Sequence, residues 1–140
     1  MVVEFNTEII RLITLFENLS KVNVKDCLVD KETNTVFFVV NEKEAGLAIG
    51  KNGRKIKEIE KILNKNIKVF EFSKDLVSFV KNLIPSSAEI RVINENERVI
   101  VEVRVEKSLK PVVIGRDKRN LKIYKEFLKR LHKVDDLIIR

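Results

Sequence analysis

The chain has 140 residues, with 28 Lys and Arg against 21 Asp and Glu, so its formal net charge at pH 7 is +7. A basic globular composition of this kind favours a polyanionic partner, and nucleic acid is the commonest one. The single cysteine and single histidine exclude an intrachain disulfide, a cysteine-based zinc site and a polyhistidine metal site.

The hydropathy of the chain argues against a membrane protein. No apolar run approaches the ~20 residues that a bilayer-spanning helix needs. Residues 1–6 lack the basic start and apolar centre of a signal peptide. We therefore expect a cytoplasmic protein that makes no membrane contact.

The first half of the chain predicts an alternation of helices and strands. Residues 7–19 have the apolar period of an amphipathic helix, with Asn6 as its N-cap. Asn41 and Glu44 have the spacing of a capping box, which predicts a short helix that ends near Ile49. In chain order the predicted helix, strand, strand, short helix, helix and strand cover residues 7–19, 24–30, 35–41, a segment ending near 49, 54–63 and 66–72.

The second half of the chain predicts the same order of elements. Ser73 is the predicted N-cap of its first helix, and Pro111 is tolerated only in the first turn of its short helix. The predicted helix, strand, strand, short helix, helix and strand cover residues 74–83, 88–94, 98–105, a segment beginning near 108, 119–133 and 136–140.

The two halves also align with each other at an offset of 65 residues. Residues 49–54, Ile-Gly-Lys-Asn-Gly-Arg, align with residues 114–119, Ile-Gly-Arg-Asp-Lys-Arg, and an amphipathic basic helix is predicted after each segment. A match of loop, following helix and preceding strand at one offset indicates an internal repeat. We therefore predict two domains, residues 1–72 and residues 73–140.

The glycine loop of the first repeat has the composition of a phosphate-binding site. Gly50 and Gly53 allow the backbone to approach a sugar-phosphate strand closely, and the start of the next helix offers unpaired amides. Nearby basic side chains add positive charge, and nearby isoleucines could form the floor of an apolar groove for unstacked bases. The predicted contacts are Ile49, Gly50, Lys51, Asn52, Gly53, Arg54, Lys55 and Ile56.

The loop of the second repeat departs from this pattern. Lys118 replaces the second glycine, and Asp117 adds a negative charge. Two alternatives follow: this repeat serves as a scaffold without close phosphate contact, or it holds phosphate through its side chains. On the second alternative the predicted contacts are Ile114, Gly115, Arg116, Asp117, Lys118, Arg119 and Lys122.

A helix, Gly-x-x-Gly loop and helix in this order of elements resembles the type II KH RNA-binding domain. The full signature is Ile49-Gly50-Lys51-Asn52-Gly53. The resemblance implies an α+β fold of two tandem type II KH domains, each with a three-stranded sheet packed against three helices.

A tandem KH pair with almost no linker is similar to the KH pair of NusA-type transcription factors, and its length is similar to that of the short archaeal form. This resemblance implies a non-catalytic protein that binds single-stranded RNA and acts in transcription elongation or termination. It implies no metal and no cofactor, a monomeric state, and RNA polymerase as a candidate partner. The alternatives are a protein-interaction adaptor and a KH protein of the ribosome or of RNA processing, neither linked to transcription.

Overall fold

The computed structural model of the protein describes residues 6–140 and divides the chain into two compact units after Ser73. Residues 1–5 lie outside the described residues. They include the start of the predicted first domain and most of the segment assessed as a signal peptide. Each unit is described separately below.

The first unit contains three helices and a three-stranded sheet. Strand β1 pairs antiparallel with β2, and β2 pairs parallel with β3, in the order β1-β2-β3. The elements are α1 (Thr7–Ser20), β1 (Val24–Asp30), β2 (Thr35–Val40), α2 (Ala45–Ile49), a 3₁₀ turn (Lys51–Gly53), α3 (Arg54–Leu63) and β3 (Asn66–Glu71).

The core of this unit lies between its helices and one face of its sheet. Helix α1 begins at Asn6, whose Oδ1 accepts a hydrogen bond from the Ile9 amide at 3.0 Å, so the predicted N-cap is confirmed. Phe16 of α1 stacks on Phe38 of β2 with ring centroids 4.0 Å apart. The buried members of the core are Ile9, Leu12, Phe16, Val22, Cys27, Val29, Val36, Phe38, Val40, Ala48, Ile59 and Ile67.

The predicted capping box before α2 is wrong. Glu44 itself occupies the N-cap position of α2, and its side chain makes no capping hydrogen bond. Its Oε1 instead accepts from the Asn23 amide at 2.7 Å, while the Asn41 carbonyl accepts from the Glu44 amide at 3.2 Å. The carboxylate therefore bonds the chain at the start of β1, a partner that is remote in sequence.

The second unit repeats the order of elements and the strand pairing of the first. Strand β4 pairs antiparallel with β5, and β5 pairs parallel with β6. The elements are α4 (Leu76–Leu83), β4 (Glu89–Glu95), β5 (Arg98–Arg104), α5 (Lys110–Ile114), a 3₁₀ turn (Arg116–Lys118), α6 (Arg119–His132) and β6 (Asp136–Ile139). An α+β fold with two three-stranded sheets is thus confirmed.

Helix α4 begins later than predicted. Its N-cap is Asp75 rather than Ser73, and Asp75 Oδ2 accepts from the Ser78 amide at 2.9 Å and from Ser78 Oγ at 2.7 Å. These hydrogen bonds favour the ionised carboxylate and lower the pKa of Asp75 from its ordinary value of 3.8. The sequence did not distinguish the two positions, because Ser and Asp are both good N-caps and nothing local ranks one above the other in this segment.

No helix within residues 6–140 combines the length and the apolar character that crossing a bilayer requires. The same stretch holds no group of three or more His, Cys, Asp or Glu side chains suited to a metal ion.

The cap of α4 can be tested by acidification. Asp75→Ala should lower the melting temperature at pH 7 by a few degrees, and Asp75→Asn, which keeps an acceptor oxygen, should lower it less. Because the pKa of Asp75 is lowered in the folded state, the charge stabilises the protein above 3.8 and this stabilisation is lost as the pH falls through the lowered pKa. Thermal unfolding over a pH series measures both effects. Equal melting temperatures of wild type and Asp75→Ala at pH 7 would contradict the assignment.

Candidate nucleic-acid interface

The first glycine loop is a single tight turn that joins α2 to α3. Gly50 has φ 76° and ψ 176°, and the next left-handed residues are Asn52 (φ 57°) and Gly53 (φ 72°). The Gly53 amide donates to the Gly50 carbonyl at 3.2 Å, and the Arg54 amide donates to the Lys51 carbonyl. The amides that remain for an anion in this turn are those of Lys51 and Asn52, for which no acceptor is found in the described chain.

The second loop has the same backbone although it lacks the second glycine. Gly115 has φ 79° and ψ 165°, Asp117 has φ 56°, and Lys118 has φ 60°. The Lys118 amide donates to the Gly115 carbonyl at 3.1 Å, as Gly53 does to Gly50. Asp tolerates the left-handed region through local hydrogen bonding, whereas Lys118 bears a steric cost of about 1–2 kcal/mol there. The replacement of the second glycine by Lys118 therefore leaves the backbone geometry of the loop unchanged.

The first glycine of each loop is required by the protein's own packing. A Cβ on Gly50 would lie 2.6 Å from Lys55 Cβ, and a Cβ on Gly115 would lie 2.9 Å from Asn120 Nδ2. At Gly53 the nearest such atom is Ile56 Cγ2 at 4.0 Å, so that position opens onto free space. The missing side chain of Gly50 therefore makes room for α3, whereas the space beside Gly53 is open.

The basic side chains of the first loop divide into two kinds. Lys51 and Arg54 are exposed beside the turn. The ammonium of Lys55 instead donates to the Ser20 carbonyl at 2.5 Å, where α1 ends. A cation at a helix C-terminus satisfies a carbonyl and favours the helix dipole, so Lys55 links α3 to α1.

In the second unit the position that corresponds to Lys55 is Asn120. Its Nδ2 donates to the Val112 carbonyl at 3.3 Å and joins α6 to α5. The predicted contacts Arg116, Lys118 and Lys122 are exposed near the start of α6. Asp117 is exposed in the turn, and Arg119 is half-buried.

The apolar residues around the loops are only partly those predicted. Ile49 and Ile114 are half-buried, and Ile56 packs against the core of the first unit. Prediction missed Leu47 and Val112, which are 61% and 72% exposed, one helical turn before their loops. The offset of 65 residues places these two at matching positions, so a search of the repeat for apolar residues outside the core stripe could have found them.

The unequal roles of the two glycines can be tested by substitution. Gly50→Ala should destabilise the protein by more than Gly53→Ala, because the first adds a clash with Lys55 to the strain of positive φ, and the second adds strain of about 1–2 kcal/mol alone. Lys118→Gly should raise the free energy of unfolding by about 1 kcal/mol. Denaturant titration of the three variants measures these differences. If Gly50→Ala costs no more than Gly53→Ala, the packing role of Gly50 is excluded.

Known proteins are similar to this chain in both sequence and fold. A family model of the KH domain matches residues 11–81. The "Probable transcription termination protein NusA" of Methanococcus vannielii is 37% identical over 123 residues, which cover 86% of this chain and 70% of that protein. The protein of the same name from Halobacterium salinarum is 30% identical over 138 residues and 98% of each chain. The crystal structure of APE1850 superposes with a TM-score of 0.77 at 38% identity, over 97% of this chain and 100% of that one. This chain therefore belongs to the KH-domain family, among the archaeal NusA-like proteins.

Proposed function

We propose that the chain is a non-catalytic, NusA-like transcription factor that binds single-stranded RNA through its two glycine loops. The observation that carries this proposal is the recurrence of one turn geometry in both units. In each, the turn joins a short helix to a basic helix and bears exposed cationic side chains. A phosphate next to such a turn meets backbone amides, a helix N-terminus and positive side chains together.

At the first loop each element of the turn has a role in holding RNA. The amides of Lys51 and Asn52 donate to a backbone phosphate, and the side chains of Lys51 and Arg54 supply positive charge. Gly53 leaves the space into which a ribose-phosphate unit approaches. Exposed Leu47 offers an apolar surface to an unstacked base on the preceding helix. Lys55 has a structural role, since its ammonium already bonds Ser20.

At the second loop we infer that phosphate is held mainly by side chains. The turn matches the first in its dihedral angles, which supports the predicted second domain, residues 73–140, as a tandem KH domain. Lys118 places an exposed cationic side chain where the first loop has no side chain, so a phosphate meets this ammonium before it reaches the backbone. Asp117 keeps the net charge of residues 116–119 at +2, equal to that of residues 51–54. This favours the second of the two alternatives for this loop over a scaffold alone.

The role in transcription rests on the relatives. Several archaeal relatives are named as probable transcription termination proteins, and this chain is 28% to 37% identical to them over 86% to 98% of its length. With residues 1–72 and 73–140 as its two KH domains, we propose a monomer that acts on nascent RNA in the cytoplasm. RNA polymerase is its candidate protein partner.

The first loop is tested by reversing its charge. Lys51→Asp with Asn52→Asp should weaken binding to a short single-stranded RNA about 10- to 100-fold, because charge-assisted hydrogen bonds are replaced by repulsion of phosphate. Lys107→Asp with Ser108→Asp is the control, since it makes the same charge change in an exposed turn of the second unit. Fluorescence anisotropy measures affinity, and circular dichroism checks folding. Equal affinities of the loop variant and the control would reject the first loop as an RNA site.

The second loop is tested by removing its side chains without altering its turn. Lys118→Gly should weaken binding of a 12-nucleotide RNA while it stabilises the fold, and Arg116→Asp with Lys118→Asp should weaken it further. The slope of log affinity against log salt should fall by about 0.7 for each phosphate contact that is lost. Unchanged affinity and slope in both variants would leave the scaffold alternative as the correct one.

A further inference from the structure

A second basic feature of the first unit extends along α3 away from the glycine loop. Three lysines spaced four residues apart border an open depression of about 390 Å³. We call this feature the α3 lysine site, and its residues are Asn34, Lys57, Glu60, Lys61, Asn64, Lys65 and Asn66.

One ammonium of this site is held in place by a neutral partner. Lys65 Nζ donates to Asn34 Oδ1 at 3.1 Å, and Asn34 Nδ2 donates to the Asn64 carbonyl at 2.9 Å. Asn66 Nδ2 donates to the Thr33 carbonyl at 3.1 Å, so the asparagines form a fixed frame. An amide oxygen positions the Lys65 ammonium without neutralising it, and two of its three donors remain for a ligand.

The carboxylate in the site does not neutralise its lysines. Glu60 Oε2 accepts from the Ile67 amide at 2.8 Å, which directs the carboxylate toward the start of β3. Lys57, Lys61 and Lys65 form no ion pair with any residue in the range that the structure describes. Lys57 and Lys61 are one turn apart on α3, and like charges at that spacing destabilise a helix.

In the second unit the corresponding face of α6 carries both positive and negative side chains. At the offset of 65 residues, Lys57, Lys61 and Lys65 correspond to Lys122, Glu126 and Arg130. Arg130 Nε lies 3.2 Å from Glu126 Oε1, an ion pair between residues four apart.

A second ion pair adds to this neutralisation. Lys125, at the position of Glu60, pairs with Asp136 at 2.8 Å, which lowers the pKa of Asp136. Among the described residues, the first unit has three lysines without an ion pair at these positions, whereas the second unit has one such cation, Lys122.

We propose that the α3 lysine site binds the phosphodiester backbone of the RNA strand where it continues past the first loop. Lys57 and Lys61 are four and eight residues from Gly53 along α3, so the site begins about 6 Å from the loop and reaches about 12 Å at Lys61. Exposed Arg54 lies between Gly53 and Lys57. A KH loop clamps about four nucleotides, so the added contact concerns nucleotides outside that set. This inference rests on the proposed function of the first loop, and it adds a second contact to the same strand.

The site is tested by comparing RNA lengths in a triple variant, Lys57→Gln with Lys61→Gln and Lys65→Gln. To remove the contribution of the second loop, all proteins also carry Arg116→Asp and Lys118→Asp. The protein with these two substitutions alone is the parent for the comparison. The triple variant should bind a 4-nucleotide RNA as the parent does and should bind a 12-nucleotide RNA more weakly. The salt slope for the longer RNA should fall by about 2, since three lysine contacts at about 0.7 each are lost. Lys21→Gln with Lys43→Gln and Lys107→Gln is the control, because it removes the same charge from exposed turns.

Each outcome distinguishes the site from the loop. If the triple variant and the control bind the 12-nucleotide RNA equally, the α3 lysine site is rejected while the loop proposal stands. A triple variant that loses affinity for both lengths to the same extent also overturns the site as an extension. If the parent binds neither RNA, and the protein with both loops intact binds neither, the proposed function itself fails. Circular dichroism confirms that the variants are folded.

Discussion

The close contact between a glycine and the helix that follows it determines the geometry of both loops. Gly50 lies against Lys55 Cβ at a distance that leaves no room for a Cβ, and Gly115 lies against Asn120, whose side-chain amide would have to move to admit one. Positive φ at each glycine then sends the chain through one 3₁₀ turn into α3 or α6. Since this contact is internal, it holds the turn in position without any ligand. The position of the two turn amides and the open space at Gly53 follow from this arrangement.

The two units share this backbone and differ in how their charges are used. In the first unit the loop has an open glycine, and the lysines along α3 have no acidic partners among the described residues. In the second unit the open glycine is replaced by Lys118, and Glu126 with Arg130 neutralises the corresponding helix face. The second unit has a lysine at the position of the open glycine, whereas the first unit has lysines without an ion pair along α3 in the described part of the chain. Two units with one fold therefore present different charged surfaces.

Sequence patterns predicted the elements well where short-range physics determines them. The bounds of β1 and α3 agree with prediction, as does the N-cap at Asn6, because apolar periodicity and a capping side chain act over a few residues. Predictions were wrong where more than one hydrogen-bonding arrangement of the polar side chains was compatible with the local sequence. Glu44 bonds the Asn23 amide, and Asp75 displaces Ser73 as a cap. Both side chains could cap a helix, and only the folded arrangement determines from which amide each carboxylate accepts a hydrogen bond.

The sequence by itself determined the repeat, the order of the elements and the positions of the loops, since each depends on local propensity and on periodicity. The glycine at position 50, the basic helices and the loss of a glycine at position 118 were all visible before any coordinates. Tertiary structure alone decided that Gly50 serves packing and that Lys55 bonds the end of α1. Tertiary structure also decided that Lys118 keeps the left-handed conformation of the turn and that Lys65 donates a hydrogen bond to Asn34. These outcomes depend on contacts between residues distant in sequence, or on strain that packing overcomes, and neither is encoded in a local pattern.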